Sequence, residues 1–445
     1  MRSALRRTVG PALAFVVSAC DTTGPGDKQV AQFILDFCSD ETPDFVAFQN
    51  DGGPWTRVIP SADGTVTIQA TEKFGLAVSD EDEDGPFTDV VYGTLTEFSS
   101  LNGVTCLEQF GAKTLNGSAS GLTGAQTAEI TMGFGFDIVT AGAPQFQLLD
   151  LPDRPLDIVA MRVPNPANAV PDRAIVRRAV VFSSGATLSP PLDLAAPSPG
   201  SEAIATNTLA VTGLVAGESN FATSSFRTAS GTWHTLRDVP FATSTVPLYG
   251  IPSSLTQQGD VHETFVAAVS SNSETLRGVT QYHRNPGDRT AALGTTLLTP
   301  IVTNAVQAPA VRLRAELVAQ ADYGGFASAD FVQSEAAIIR HFSVTETSGF
   351  NGGTPATWVL EMPDLAGVTG FPSDAIFVNS AANEWFVEAG SAGVDIFVGG
   401  APANADGLVI RFADRLSAAP MALSRSPEAR PARRSPLLRA LSPRR

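Results

Sequence analysis

The feature that most restricts the fold of this chain is its dense turn punctuation. Its 445 residues include 39 glycines and 31 prolines, with short apolar and polar runs between them. Asn-Gly and Asp-Gly pairs recur, and both residues of such a pair tolerate the positive φ of tight hairpin turns. The pairs are Asp51-Gly52, Asp63-Gly64, Asn102-Gly103, Asn116-Gly117, Asn351-Gly352 and Asp406-Gly407. This pattern predicts an all-β protein of many short strands.

Several runs alternate between apolar and polar residues, as a half-buried strand does. The clearest are Thr65–Ala70 and Arg312–Leu317, and Leu156–Val163 is also predicted to be a strand. Residues 33–37 also fit a strand, although their apolar spacing is compatible with a helix. Val394–Val398 and Leu408–Phe412 are predicted to form a closing strand pair. No segment has the periodicity of a long amphipathic helix.

The predicted architecture is a tandem of several antiparallel β-sandwich-like (Ig-like) domains, with a β-propeller as the alternative. Stretches rich in proline or small residues at Pro164–Pro171, Ser189–Ser201 and Thr299–Pro309 are candidate linkers. The predicted domains are residues 28–112, 113–200, 201–305 and 306–424. Two short internal similarities support a modular chain. Residues 120–126 resemble residues 212–218, and residues 53–58 resemble residues 231–236.

The N-terminus carries Arg2, Arg6 and Arg7, then the apolar run Val9–Val17, then Val17-Ser18-Ala19-Cys20. The apolar run is shorter than the roughly 20 residues that span a bilayer. This segment resembles the signal of bacterial lipoproteins, in which small residues precede a lipid-carrying cysteine. The resemblance implies that residues 1–19 are removed, that Cys20 is lipidated, and that residues 20–27 form a tether. It also implies a location in the cell envelope, on the periplasmic side or the outer surface.

Cys38 and Cys106 are the two cysteines that remain beside Cys20. In an oxidising compartment an even pair of cysteines usually forms a disulfide. We therefore expect Cys38 and Cys106 to be bridged, with two buried free thiols as the alternative.

The chain between the signal and the C-terminal tail is strongly acidic. Cys20 to Ser424 contain 19 basic and 44 acidic residues, whereas residues 425–445 contain seven arginines and one acid. Such an acidic body argues against nucleic acid as a partner, because phosphate contacts dominate that affinity. The tail alternates Arg, Pro, Ser, Ala and Leu, a composition typical of a disordered segment that could dock on the acidic body, a membrane or a polyanion.

Asp80, Asp82 and Asp84 precede Gly85 at alternate positions, as in the first half of a calcium-binding loop. Position twelve of that loop is Val91, where an EF-hand has a bidentate glutamate. The three aspartates are thus a candidate Ca²⁺ site, with a solvated acidic hairpin tip as the alternative.

No catalytic residues can be nominated from the sequence. The four histidines lack metal-ligand spacing. Residues 217–221 begin like a G-x-S-x-G nucleophile motif but end in Phe221. We therefore expect a lipid-anchored envelope protein with a non-catalytic binding or structural role, acting on an envelope or extracellular partner. An extracytoplasmic hydrolase, with glycans as a candidate substrate, is the alternative.

Overall fold

The structure, a computed structural model, describes residues 30–36, 42–82, 85–98, 113–196, 198–335, 338–379, 382–392 and 405–417. Almost all regular structure in these ranges is β-strand. Helix in the described ranges is confined to α1 (Ser348–Asn351) and a 3-10 turn at Ala321–Tyr323. No helix in these ranges has the length and apolar character needed to cross a bilayer. The all-β prediction is confirmed.

The strands form four units along the chain. The first unit has β1 (Ala31–Asp36), β2 (Phe45–Asn50), β3 (Thr56–Val58), β4 (Thr65–Ala70), β5 (Lys73–Asp82) and β6 (Gly85–Thr94). The second has β7 (Lys113–Ser120), β8 (Thr127–Met132), β9 (Gly135–Thr140), β10 (Gln145–Leu151), β11 (Leu156–Val163), β12 (Arg173–Val180), β13 (Ala186–Thr187), β14 (Leu192–Asp193) and β15 (Glu202–Ala203).

The third unit has β16 (Ala205–Thr212), β17 (Ser219–Arg227), β18 (Trp233–Phe241), β19 (Thr245–Gly250), β20 (Val261–Val269), β21 (Thr275–His283) and β22 (Arg289–Ala292). The fourth has β23 (Ile301–Val306), β24 (Arg312–Val318), β25 (Phe326–Glu335), β26 (Ile338–Thr347), β27 (Thr357–Glu361), β28 (Ala382–Gly390) and β29 (Val409–Leu416).

One topology recurs in all four units. One pair of strands forms a small sheet: β1 with β4, β7 with β10, β16 with β19, and β24 with β27. Four further strands of each unit form a second sheet, in the orders β3-β2-β5-β6, β9-β8-β11-β12, β18-β17-β20-β21 and β26-β25-β28-β29. The remaining short strands β13, β14, β15, β22 and β23 pair at the edges of these sheets. Each unit is thus a small β-sandwich whose apolar faces pack together. The sandwich-like architecture predicted from the sequence is confirmed.

The two internal similarities occupy equivalent places in this repeated topology. Residues 120–126 lead from β7 to β8, and residues 212–218 lead from β16 to β17. Both turns are closed alike, since the Thr123 N–H donates to Gln126 Oε1 (2.9 Å) and the Val215 N–H donates to Glu218 Oε2 (3.0 Å). The second similarity lies at the connection from β2 to β3 and from β17 to β18.

Three units share one continuous sheet. β21 of the third unit pairs antiparallel with β29 of the fourth, and β26 of the fourth pairs parallel with β6 of the first. The result is a twelve-stranded sheet in the order β18-β17-β20-β21-β29-β28-β25-β26-β6-β5-β2-β3. Backbone hydrogen bonds therefore join these three units directly.

The first unit contributes to two cores because its four-stranded sheet is apolar on both faces. Val46, Leu76 and Val78 pack against β1 and β4. Phe45 and Ala47, on the opposite face, belong to the core of the fourth unit. The alternation expected of a half-buried strand is absent here, since β5 and β6 are buried almost throughout.

The second and third units are joined by a buried ion cluster. Arg178 Nη1 donates to Asp157 Oδ2 (2.9 Å), and its Nη2 donates to Asp260 Oδ2 (2.5 Å). The Asp157 and Asp260 side chains are 3% and 0% exposed. Asp260 also accepts backbone hydrogen bonds from Ala229 and Gln257, each at 2.8 Å. The charges are thus compensated from both sides of the interface.

Three details differ from the sequence-based expectations. Asn116-Gly117 is not a hairpin turn but lies within β7, where a Cβ on Gly117 would come within 2.2 Å of the Phe146 ring. Pro164–Pro171 is not a linker but a loop within the second unit, because β11 and β12 pair on either side of it. Thr299–Pro309 contains β23, which pairs with β24.

Candidate functional site

Most of the residues predicted to carry function lie outside the described ranges. These are Cys20, Cys38, Cys106 and Asp84. The lipid anchor and the Cys38–Cys106 disulfide therefore stay predictions, as does the tail at residues 425–445. The predicted partner of the closing strand, Val394–Val398, also lies outside these ranges. The other strand of that predicted pair, Leu408–Phe412, overlaps β29, which pairs with β28 and β21.

The acidic run ends a long hairpin. β5 and β6 continue to its tip, where Asp82 pairs with Gly85. Asp80 lies in β5 and accepts a hydrogen bond from the Glu81 N–H (2.9 Å). No three Asp, Glu, His or Cys side chains in the described ranges are arranged to hold one metal ion. Calcium binding by Asp80, Asp82 and Asp84 remains a prediction.

His262 and His283 form a buried stack on paired strands. Their ring centroids lie 5.4 Å apart with planes at 12°. His262 Nε2 accepts from the Ile251 N–H (2.9 Å), so Nδ1 carries the proton and donates to the Arg284 carbonyl oxygen (3.0 Å). Burial lowers the pKa of His262 to about 4 and that of His283 to about 3. Both rings are neutral at neutral pH, which fits a role in core structure.

His234 is buried between the second and third units. Its Nδ1 lies 2.6 Å from Thr131 Oγ1, and burial lowers its pKa to about 4. It is thus also neutral at neutral pH. His341 is the one histidine of the four that is only partly buried.

A cavity of about 620 Å³ lies beside the loop that leads from β16 to β17. Glu218 is on its wall, but its carboxylate accepts from Arg277 Nη2 (2.6 Å) and Nε (3.1 Å). Arg277 in turn donates to the carbonyl oxygens of Gly213 and Gly294. This pair therefore holds the loop in place.

The feature that stands out chemically is one face of the twelve-stranded sheet, here called the carboxylate face. Paired residues on neighbouring strands point to the same side, so the registers identify its members. Eight acidic residues with described side chains lie on it: Asp80, Asp89, Asp238, Glu263, Asp330, Glu384, Glu388 and Asp414. Asp89, Glu263 and Asp414 are buried (2%, 8% and 5% exposed), whereas the other five are partly or fully exposed.

The acidic character of this face comes from a separation of charge along the strands. In β29, Asp414 points to the carboxylate face, whereas Arg411 and Arg415 point to the opposite face. From β20 to β6 in sheet order, the described residues that point to the carboxylate face include no lysine or arginine. Arg227, at the end of β17, lies at the margin of this face.

Two carboxylates lie opposite each other at the centre of this face. Glu388 on β28 pairs directly with Asp414 on β29, which places the two Cβ atoms about 5 Å apart. Asp414 accepts a hydrogen bond from the Leu276 N–H (3.1 Å). Like charges directly opposite on a sheet are destabilising.

Phenylalanine rings lie beside these carboxylates. Phe265 stacks on Phe412 with ring centroids 5.8 Å apart, and Phe221 lies 5.5 Å from Phe265. All three residues are partly buried. The stack depends on Gly278, because a Cβ at that position would come within 2.1 Å of the Phe412 ring. The face thus offers aromatic rings as well as negative charge.

One acid on this face, Asp330, has a raised pKa. It lies on β25 beside Ser343, and burial raises its pKa to about 6. The hydrogen bond with Ser343 opposes this rise. Asp330 is thus a carboxyl group that takes up a proton near pH 6, while ordinary aspartates do so near pH 4.

Replacing Asp330 by asparagine is expected to stabilise the protein by about 1–2 kcal/mol at pH 7–8. A raised pKa means that the folded state binds the proton more tightly than the unfolded state. The charge of Asp330 therefore costs stability above pH 6, and this cost disappears as the pH falls toward 4. Urea unfolding at pH 4 and pH 8 measures the difference. The exposed Asp238→Asn variant is the control, and an equal gain at both pH values would contradict the assignment.

The sequence contains one signal for this face. On the side that faces it, β25 and β29 each carry one aspartate and β28 carries two glutamates, while phenylalanines at the same spacing point the same way. Each strand taken alone predicts only that one of its sides contacts solvent. The sheet order is needed to place these sides next to each other.

Comparisons with known proteins add no assignment. No protein-family profile matches the sequence, and no curated protein is detectably similar to it.

Proposed function

We propose that this protein is a lipid-anchored protein of the cell envelope that binds a cationic partner on its carboxylate face. The observation that carries the proposal is the set of acidic side chains on five of the seven neighbouring strands from β20 to β6, without lysine or arginine among the described residues of that face. The partner chemistry that fits is an extended peptide segment rich in arginine or lysine. The role is one of binding, and it includes no catalytic step.

The electrostatics of the whole chain support this partner. The body carries 44 acids against 19 bases, so its field attracts cations before contact and repels anions. Seven strands at about 4.8 Å spacing give the face a width of roughly 30 Å. That width fits a peptide of about ten extended residues.

The phenylalanine rings add a second attraction. Guanidinium groups bind over aromatic faces, with about 0.5–1 kcal/mol at exposed sites. Phe265 and Phe412 lie within the same patch as Glu388 and Asp414. An arginine side chain could therefore pair with a carboxylate and stack on a ring at once.

Binding of a fluorescent octa-arginine peptide to the purified full chain tests the proposal. We expect the double variant Glu384→Gln/Glu388→Gln to bind about tenfold more weakly, because each of these half-buried carboxylates would lose an ion pair that contributes up to about 1 kcal/mol. The matched control Glu202→Gln/Asp374→Asn removes two exposed carboxylates away from this face. Equal affinity of the two double variants would contradict a binding role for the carboxylate face.

The anchor rests on Cys20. We expect Cys20→Ala to move the protein from the membrane fraction to the soluble fraction, because lipid chains on this residue supply the membrane affinity. Fractionation of cells with an immunoblot measures this. Persistence of the variant in the membrane fraction would contradict lipid anchoring at Cys20.

One observation favours a hydrolase as the second candidate. Glycoside hydrolases pair an acid of raised pKa with a second carboxylate, and Asp330 lies on the same face as Glu388. Incubation with envelope glycans, followed by an assay for new reducing ends, tests this role. Release by the wild type but not by Asp330→Asn would establish it, and no release would exclude it for the glycans tested.

A further inference from the structure

We infer that the occupant of the carboxylate face, in the absence of a partner, is the chain's own segment 425–445. This inference rests on the proposed function, because it names a ligand and a regulator for the same face. The segment would compete with an external cationic partner.

Charge complementarity is the first argument. Segment 425–445 contains seven arginines and one acid, whereas the body that precedes it is strongly acidic. The carboxylate face concentrates eight of the body's acids on one side of one sheet, and five of them, Asp80, Asp238, Asp330, Glu384 and Glu388, are partly or fully exposed. Arginine forms forked hydrogen bonds with carboxylates and stacks on phenyl rings, and both groups are present on this face.

The starting point of the segment is the second argument. The last described strand, β29, is one of the central strands of the carboxylate face, and its final residue, Leu416, pairs with Phe386. The Ser417 N–H donates to the Trp385 carbonyl oxygen (2.9 Å). The chain therefore leaves the sheet beside Glu384 and Phe386, within the surface that it is proposed to cover.

Reach and entropy are the third argument. The seven residues 418–424 span at most about 25 Å when extended, so Arg425 can reach any strand between β20 and β26. The tether gives the segment an effective concentration in the millimolar range. Four prolines, at 427, 431, 436 and 443, limit the conformations of the segment and lower the entropy lost on binding. Weak individual contacts are thus sufficient for the segment to occupy the face.

Site-specific photo-crosslinking in the full chain tests the inference. A benzoylphenylalanine at Phe386 samples the carboxylate face, and one at Ile301, which is 64% exposed on β23, is the control. We expect crosslinks from position 386 to peptides of residues 418–445, and none from position 301. Addition of octa-arginine is expected to reduce the intramolecular crosslink by at least tenfold and to produce a crosslink to the added peptide.

The outcomes separate the inference from the proposed function. A crosslink to octa-arginine at position 386 without any crosslink to residues 418–445 would overturn the inference and leave the binding face intact. Absence of both crosslinks would overturn both. Replacing Arg430, Arg433 and Arg434 by glutamine should lower the intramolecular crosslink and raise the affinity for octa-arginine. Unchanged values in both measurements would also overturn the inference.

Discussion

Replacing Asp260 by alanine is expected to lower the free energy of unfolding by about 3–5 kcal/mol. Asp260 is fully buried at the junction of the second and third units, where Arg178 donates to both of its oxygens. Its removal leaves the Arg178 charge short of a partner, and the N–H groups of Ala229 and Gln257 lose their acceptor. An uncompensated buried charge is more costly than the loss of an ion pair in water. Chemical unfolding followed by tryptophan fluorescence measures the change.

An ion pair within the second unit, which also contains Arg178, supplies the control. Arg162 Nη2 donates to Asp172 Oδ2 at 2.7 Å, and the Asp172 side chain is 38% exposed. Asp172→Ala is expected to cost no more than about 1 kcal/mol, because water replaces the lost contact. If Asp260→Ala were as mild as Asp172→Ala, the buried cluster would not be what joins the second unit to the third.

Replacing Phe45 by alanine is expected to cost about 3–5 kcal/mol as well. Phe45 is fully buried, and its ring meets Phe371 edge-on at 5.2 Å between centroids. It belongs to the first unit by chain position but to the core of the fourth unit by its contacts. The cavity left by the ring should therefore speed hydrogen exchange in β24 and β27 of the fourth unit.

Phe136 on β9 is the matched control, since 54% of it is exposed. Phe136→Ala is expected to change stability by less than about 0.5 kcal/mol. If Phe45→Ala accelerated exchange only in the first unit, the two units would not share a core in the way that the sheet order indicates.

Local sequence patterns predicted the strands well where one face is wet. Thr65–Ala70 is β4, with the predicted bounds. Leu156–Val163 is β11, also with the predicted bounds, but it is buried on both faces. Arg312–Leu317 lies in β24, where Leu313, Ala315 and Leu317 are buried as the alternation requires. In Thr65–Ala70 and Arg312–Leu317, apolar and polar residues occupy opposite sides of the strand. The sequence alone therefore indicates which side is buried.

The strand pairings that connect different units could not be predicted from the sequence. The pairing of β21 with β29 and of β26 with β6 links strands that are far apart along the chain. Nothing in β26 distinguishes a neighbour in the first unit from one in its own unit. The carboxylate face depends on these joins, since Asp89 and Ser343 become neighbours only through the pairing of β6 with β26.

The roles of two glycines could not be predicted from the sequence either. Gly117 and Gly278 resemble turn or flexible positions in the sequence, but each lies in a strand beneath a phenylalanine ring. The rings of Phe146 and Phe412 need the space that a Cβ would fill. Such a requirement becomes visible only when the partner strand is known.

Carboxyl-group footprinting of the full chain, with and without octa-arginine, tests the central claim most directly. The method labels accessible Asp and Glu side chains and reports the extent at each residue by mass spectrometry. We expect the peptide to protect Asp238, Glu384 and Glu388 and to leave Glu202 and Asp374 unchanged. Protection confined to residues away from the carboxylate face would contradict a binding role for this face. An equal decrease in labelling at all five of these residues would contradict it as well.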